Sequence, residues 1–204
     1  MVKKFIDVCI ILVFASSAVF AGEKYQGMAA YRDGVVAPPL YEYHAGIFIG
    51  RDANDINPII HAGPNYNVSR VPYYAASGNN FLRPNIFNGV FTKSVITSTK
   101  LDSIRLLASD LTYEGIGYTA LNVIEHNSTG TRIYPANIVK LRCDGVVEYC
   151  YEYNGVKVVN FYEGTLGKEY WDISLTLDAV YHGGTKMSPR SQTGYLTKMS
   201  DSAY

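Results

Sequence analysis

Between residues 41 and 50 the chain reads YEYHAGIFIG, and after a polar stretch, RDANDIN, it reads PIIHAG. Side chains that alternate in character follow the two-residue period of a β-strand, and the polar residues between the runs join them as a hairpin with a long loop. These strands carry two histidines, His44 near the start of one and His61 near the end of the next. An apolar residue would be cheaper to place at His44. Antiparallel pairing can bring both rings to one face of the sheet, provided the register allows it.

Two helical signals follow. TKLDSIRLLASDL, from Thr99, sets Leu101, Ile104, Leu107 and Leu111 at three- and four-residue steps, with Asp102 read as early in the first turn, and it stops before YEGIGY. LRCDGVVEYCYEYNG places Cys143, Val146, Val147 and Cys150 on one helical face and ends at Asn154-Gly155. Residues 22–40 contain paired prolines in GVVAPPL and read as an extended lead-in. ASGNNFLRPNIFNG reads as a surface loop, VFTKSVITS and VKVVNFY as further strands, and HGGTKMSPRSQTG as loop.

The first 21 residues have the form of a signal peptide: MVKK supplies positive charge, an apolar run follows, and Val19-Phe20-Ala21 offers small residues for cleavage after Ala21. Retention as an anchor is the alternative. The apolar run after Asp7 is shorter than the ~20 residues a spanning helix needs, and no other stretch could span a bilayer, so no stable membrane insertion is expected after cleavage. What remains, 22–204, reads as one domain. Equal numbers of basic and acidic residues, 18 of each, argue against nucleic acid as a partner.

Export makes the cysteines informative. Cys9 leaves with the signal, and Cys143 and Cys150 are seven apart. In a helix seven residues advance about 10 Å, beyond the ~7 Å that a disulfide spans between Cα atoms. At least one thiol is expected to stay free. Cys143 stands at the start of its helix, where unpaired N–H groups and the dipole lower a thiol pKa, and Arg142 would assist if it lies close. Cys150, two turns on, lacks that advantage and reads as a small buried hydrophobe. A cysteine nucleophile needs a base within hydrogen-bond reach and a third group to orient the base, and His44 and His61 are the available pair.

These pieces carry a resemblance. HAGIFIG followed by IIHAG resembles the histidine hairpin of NlpC-type papain-like cysteine peptidases, and CDGVVEYC is similar to that family's nucleophile segment. The likeness covers a hairpin and a helix. The order differs, because both histidines precede the cysteine, as in the circularly permuted branch of the superfamily. Arg142 and Asp144 stand where the family has aspartate and serine, and the 17 residues from His44 to His61 exceed the usual hairpin.

The resemblance implies an α+β, papain-like fold: an antiparallel sheet with helices packed on it, permuted so that the histidine strands come before the cysteine helix. It implies Cys143 as nucleophile, His44 as base and acid, His61 as the orienting member, and Tyr118 as a residue lining the substrate site. The oxyanion would be met by the Cys143 N–H and a second donor that the sequence does not identify. An exported bacterial enzyme, periplasmic or secreted, acting on a peptide or acyl-amide substrate is the expectation, with peptidoglycan peptides as the nearest case and no cofactor. The permuted branch also includes lipid ester hydrolases and acyltransferases. A tyrosine-rich secreted module that binds glycan or protein is the non-catalytic alternative.

The other candidates are sparser. His126 and His182 fall in stretches read as loops, and NVS and NST match the N-glycosylation pattern. Neither C-x-x-C nor H-E-x-x-H occurs, so no metal site is expected, and no phosphate loop is present.

Overall fold

A computed structural model describes residues 23–34, 43–50, 58–64, 66–74, 80–82, 86–129, 132–158 and 188–204. In chain order these contain β1 (Ala29–Asp33), β2 (Tyr43–Phe48), β3 (Ile59–Gly63), β4 (Tyr66–Val71), β5 (Phe87–Thr92), α1 (Ser98–Asp110), β6 (Gly117–Tyr118), β7 (Ile124–His126), β8 (Ile138–Leu141), α2 (Cys143–Tyr153), α3 (Pro189–Thr193) and β9 (Thr197–Ser200). Six strands form one sheet in the order β4-β3-β2-β1-β5-β9, every neighbouring pair antiparallel. A smaller sheet, β6-β8-β7, pairs β6 with β8 in parallel and β7 with β8 antiparallel. The fold is α+β, an antiparallel sheet with helices.

The large sheet has two covered faces, and residue parity sorts its side chains between them. Ala29, Tyr31, Ala45, Ile47, Ile60 and Ala62 pack with Ile104 and Leu107 of α1 and Val146 and Val147 of α2. Ala30, Phe48, Ile59 and Val90 pack on the other side with Tyr73 and Phe81. A strand buried on both faces presents no alternation to read. That explains β1, which lies at the middle of the sheet inside a stretch expected to be an irregular lead-in; the proline pair itself falls outside the described residues, as do the signal segment and His182. Nor does VKVVNFY begin as a strand, since Val156 and Lys157 have no regular structure and residues 159–162 are not described.

Both expected helices form close to their expected limits. Thr97 caps α1 by accepting the Lys100 N–H. Asp102 lies past the first turn, where it pairs with Arg105 at 2.7 Å instead of meeting the helix dipole. Gly155, at φ 72°, follows the end of α2 in the left-handed region that favours glycine. All of α2 from Cys143 to Glu152 is buried, including Asp144, Glu148 and Glu152, so its partners surround it and do not line a single apolar stripe.

The C-terminal stretch read as loop contains α3 and β9. Ser188 and Ser191 cap α3 reciprocally, with Pro189 in its first turn, a short S-P-R-S signal that a search for apolar periodicity passes over. β9 pairs with β5 and forms one edge of the sheet. β5 itself starts at Phe87, inside the expected loop, and stops at Thr92. Among the described residues no helix is long and apolar enough to cross a membrane.

Candidate active site

His44 and His61 meet. The Nε2 of His44 lies 2.7 Å from the Nδ1 of His61, with the rings at 86° to one another. His61 is buried, whereas His44 keeps part of its surface exposed. Phe81 packs against both, its ring centroid 5.5 Å from that of His44 and 6.3 Å from that of His61. Burial lowers both imidazoles, His44 well below the ordinary histidine range and His61 to about 4, and the nearby Arg32 charge adds to the shift in each. Both rings are therefore neutral at neutral pH. One unprotonated nitrogen and one N–H per ring suit a proton acceptor held by a hydrogen-bonded neighbour.

The strands that carry this pair diverge at the histidines. Pairing of β1 with β2 runs from Ala29↔Ile47 to Asp33↔Tyr43, but the β2–β3 ladder is confined to Ile47↔Ile60 and Phe48↔Ile59. The Phe48 N–H donates to the Met28 carbonyl on the β1 side, and the Ile49 N–H donates to the Pro58 carbonyl on the β3 side. Alternation then directs the Ala45 N–H toward β3, past the end of the ladder. The Cys143 sulfur accepts from that N–H and from the backbone N–H of Asp144. Thus the first residue of α2 sits at the opening between β2 and β3, beside the residue that follows His44. Among the described residues no hydrogen bond joins the sulfur to either imidazole.

The thiol is not ionised at rest. Cys143 is only 2% exposed, and burial pushes it up to about 12, with the Asp144 carboxylate adding to the rise. The backbone donors and Arg142 act the other way without overcoming burial. Arg142 lowers the thiol as expected, though by less than burial raises it. Its guanidinium also turns onto Asp144, with Nε donating to Oδ1 at 2.6 Å and a terminal nitrogen donating to Oδ2 at 2.7 Å, both residues buried. Gly145 follows because a side chain there would strike the Val123 carbonyl, where the β6–β7 connection crosses the start of α2. Cys150 is free, as is Cys143; it is buried in the core, and burial raises its thiol.

Tyr118 is half-buried at the end of β6, paired in register with Leu141, two residues before Cys143. This places it near the start of α2. His126 closes β7, contrary to the loop expected there, and its Nδ1 accepts the Ser128 N–H. No cluster of three or more His, Cys, Asp or Glu side chains fit to hold a metal occurs among the described residues. Sequence reasoning missed Phe81, which lies in a stretch read as loop, and Arg32, which lies in the expected lead-in. Chemistry gives each away only through tertiary position: Arg32 pairs in register with His44. Compared with known proteins, the chain matches no family model, no curated protein and no solved structure.

Proposed function

We propose that this chain is an exported cysteine hydrolase of the permuted papain-like type, cleaving an amide through a thioester. The observation that carries the reading is the 2.7 Å contact between His44 and His61 on neighbouring strands, with the Cys143 sulfur accepting the backbone N–H of Ala45, the residue after His44. With His44 Nε2 held by His61, its Nδ1 is the nitrogen left to serve the thiol, and the proton must then reside on Nε2 and be donated to His61 Nδ1. A neutral thiol and a neutral imidazole call for general-base catalysis: His44 takes the proton as the sulfur attacks the carbonyl carbon. The tetrahedral intermediate collapses, the C–N bond breaks, and the amine leaves with the proton from His44. Water, deprotonated by the same ring, then attacks the thioester and releases the acid and the thiol.

Carboxamides in cell-wall peptides are the first substrates to offer. Cys143→Ala and His44→Ala should each abolish hydrolysis while circular dichroism shows the fold retained, and undiminished turnover in either variant would sink the reading. A panel pairing muropeptides with acyl esters separates amidase from lipid esterase or acyltransferase. One observation favours a second reading, a secreted module without catalysis that binds glycan or protein: the thiol is buried and protonated. Absence of turnover on the whole panel, with saturable binding of glycan, would select it.

A further inference from the structure

The imidazole pair leaves one ring nitrogen over. With the His44 Nε2–H donated to His61 Nδ1, the proton of neutral His61 is confined to its own Nε2, and that nitrogen is buried with no hydrogen-bond partner among the described residues. A buried N–H without an acceptor is unfavourable, and here the penalty falls on the tautomer that the reaction needs. The opposite tautomer of His61 would donate from Nδ1 to His44, move the His44 proton to Nδ1 and leave no lone pair facing the thiol. Whether His44 can act as a base therefore depends on what receives the His61 Nε2–H.

Ser69 stands where that acceptor is wanted. β3 and β4 pair antiparallel with His61 opposite Ser69, so the two side chains leave the same face of the sheet with Cβ atoms about 5 Å apart. The two nitrogens of an imidazole diverge. With Nδ1 turned toward β2, Nε2 points away from it, and β4 is the strand on the other side of β3. The Ser69 hydroxyl oxygen is also buried with no hydrogen-bond partner among the described residues, so directly paired residues leave both a donor and an acceptor over. The ladder slips just after His61, an irregularity of the kind that re-aims a side chain. Neighbouring groups on this face do not supply the acceptor. Ile59 and Val71, the next register pair, are apolar; Phe81 lies edge-on to His61; Arg32 only donates and pairs across β2 with His44.

We propose that Ser69 is a positioning residue of the site, its hydroxyl taking up the His61 Nε2–H through one buried water. Donation then runs one way across three strands, from His44 to His61 to the water and Ser69, and the remaining lone pair of His44 is directed at the thiol. The effect on turnover rests on the proposed hydrolase, whereas the tautomer is a property of the folded chain.

Nitrogen-15 NMR of the full chain, labelled at histidine, reads that tautomer at neutral pH without any substrate. The parent His61 should show a protonated Nε2 and a bare Nδ1. Ser69→Ala should move its signals toward a mixture of tautomers, and Ser69→Thr, which keeps the hydroxyl, should restore the parent pattern. On a hydrolysed substrate Ser69→Ala should lower kcat about tenfold, the effect of one lost hydrogen bond, with KM unchanged. A parent His61 protonated on Nδ1, or a Ser69→Ala spectrum identical to the parent's, would overturn the proposal. Should Ser69→Ala not fold, the parent decides: its His61 Nε2 proton must give a cross-peak to a long-lived water, and absence of that cross-peak overturns the assignment. Failure here leaves hydrolysis by Cys143 and His44 standing, whereas failure of the hydrolase reading appears as turnover that survives Cys143→Ala and leaves the tautomer in place.

Discussion

A methyl group at position 46 has nowhere to go. A Cβ on Gly46 would stand 2.7 Å from the Ile59 Cγ2, 2.8 Å from the Ile60 carbonyl oxygen and 3.1 Å from the Phe81 Cε2. From the sequence, Gly46 shares a strand face with His44 and leaves room beside that ring; in the structure the room is occupied by Phe81, which lies tilted against His44 and edge-on to His61. Gly46→Ala should therefore cost about 1–3 kcal/mol of stability, the usual range for overpacking. Turnover should fall as well, because a displaced Phe81 no longer fixes the rings. Urea unfolding paired with an assay on the same preparation checks this, and a variant as stable and as active as the parent would contradict the packing account. The meeting of His44 and His61 and the position of Cys143 at a helix start were legible because each lies in a short motif. Chemistry was illegible where long-range pairing assembles it. Arg32 faces His44 only because β1 lies beside β2, and the Ala45 N–H is available only because β2 leaves β3.

At the scale of one element, α2 carries an unusual load. Asp144, Glu148 and Glu152 recur every four residues and are all buried. The Gln192 side chain donates to the Asp144 carbonyl at 3.0 Å and to Glu148 Oε2 at 2.8 Å, and receives the Tyr31 hydroxyl at 2.9 Å, which ties α3 and β1 to the helix. Burial pushes Glu148 up to about 8, with Asp144 adding to the rise. A carboxyl whose folded pKa is raised contributes stability that is fully present below its unfolded value, near 4.5, and is lost as pH rises toward 8. Glu148→Gln keeps an acceptor for Gln192 and removes the titration. Its stability should exceed that of the parent at the alkaline end of this window and match it more closely at the acid end. Denaturant midpoints across the window measure the difference, and parallel curves for the two proteins would refute it. The apolar period of α2 revealed where the helix lies but not what surrounds it, since periodicity marks one buried stripe and this helix is buried throughout. Short elements such as α3 and β9 escaped for the opposite reason, having too few residues to show any period.

For the whole molecule, the placement of two neutral imidazoles between a sheet and its covering aromatic layer sets an acid limit. An unfolded histidine takes up its proton near 6.5, while folded His61 resists until about 4 and His44 is shifted in the same direction. For bases with lowered folded pKa values, the contribution is complete above 6.5 and disappears as pH falls toward the folded value. His61 alone accounts for on the order of 3 kcal/mol over that fall, since each pKa unit is about 1.4 kcal/mol. Glu148 works against this trend, gaining stability as its carboxyl protonates. Thermal scans from neutral pH into the acid range are therefore best made in the Glu148→Gln background, where only the histidine contribution remains of the two. Melting temperature should drop steeply there, and His61→Asn in the same background should flatten the drop. Since the base of the proposed reaction is one of these rings, the acid limb of kcat/KM must also lie below the ordinary histidine range. An acid limb at 6.5 or above would mean that the working base is neither of the paired histidines as the fold holds them.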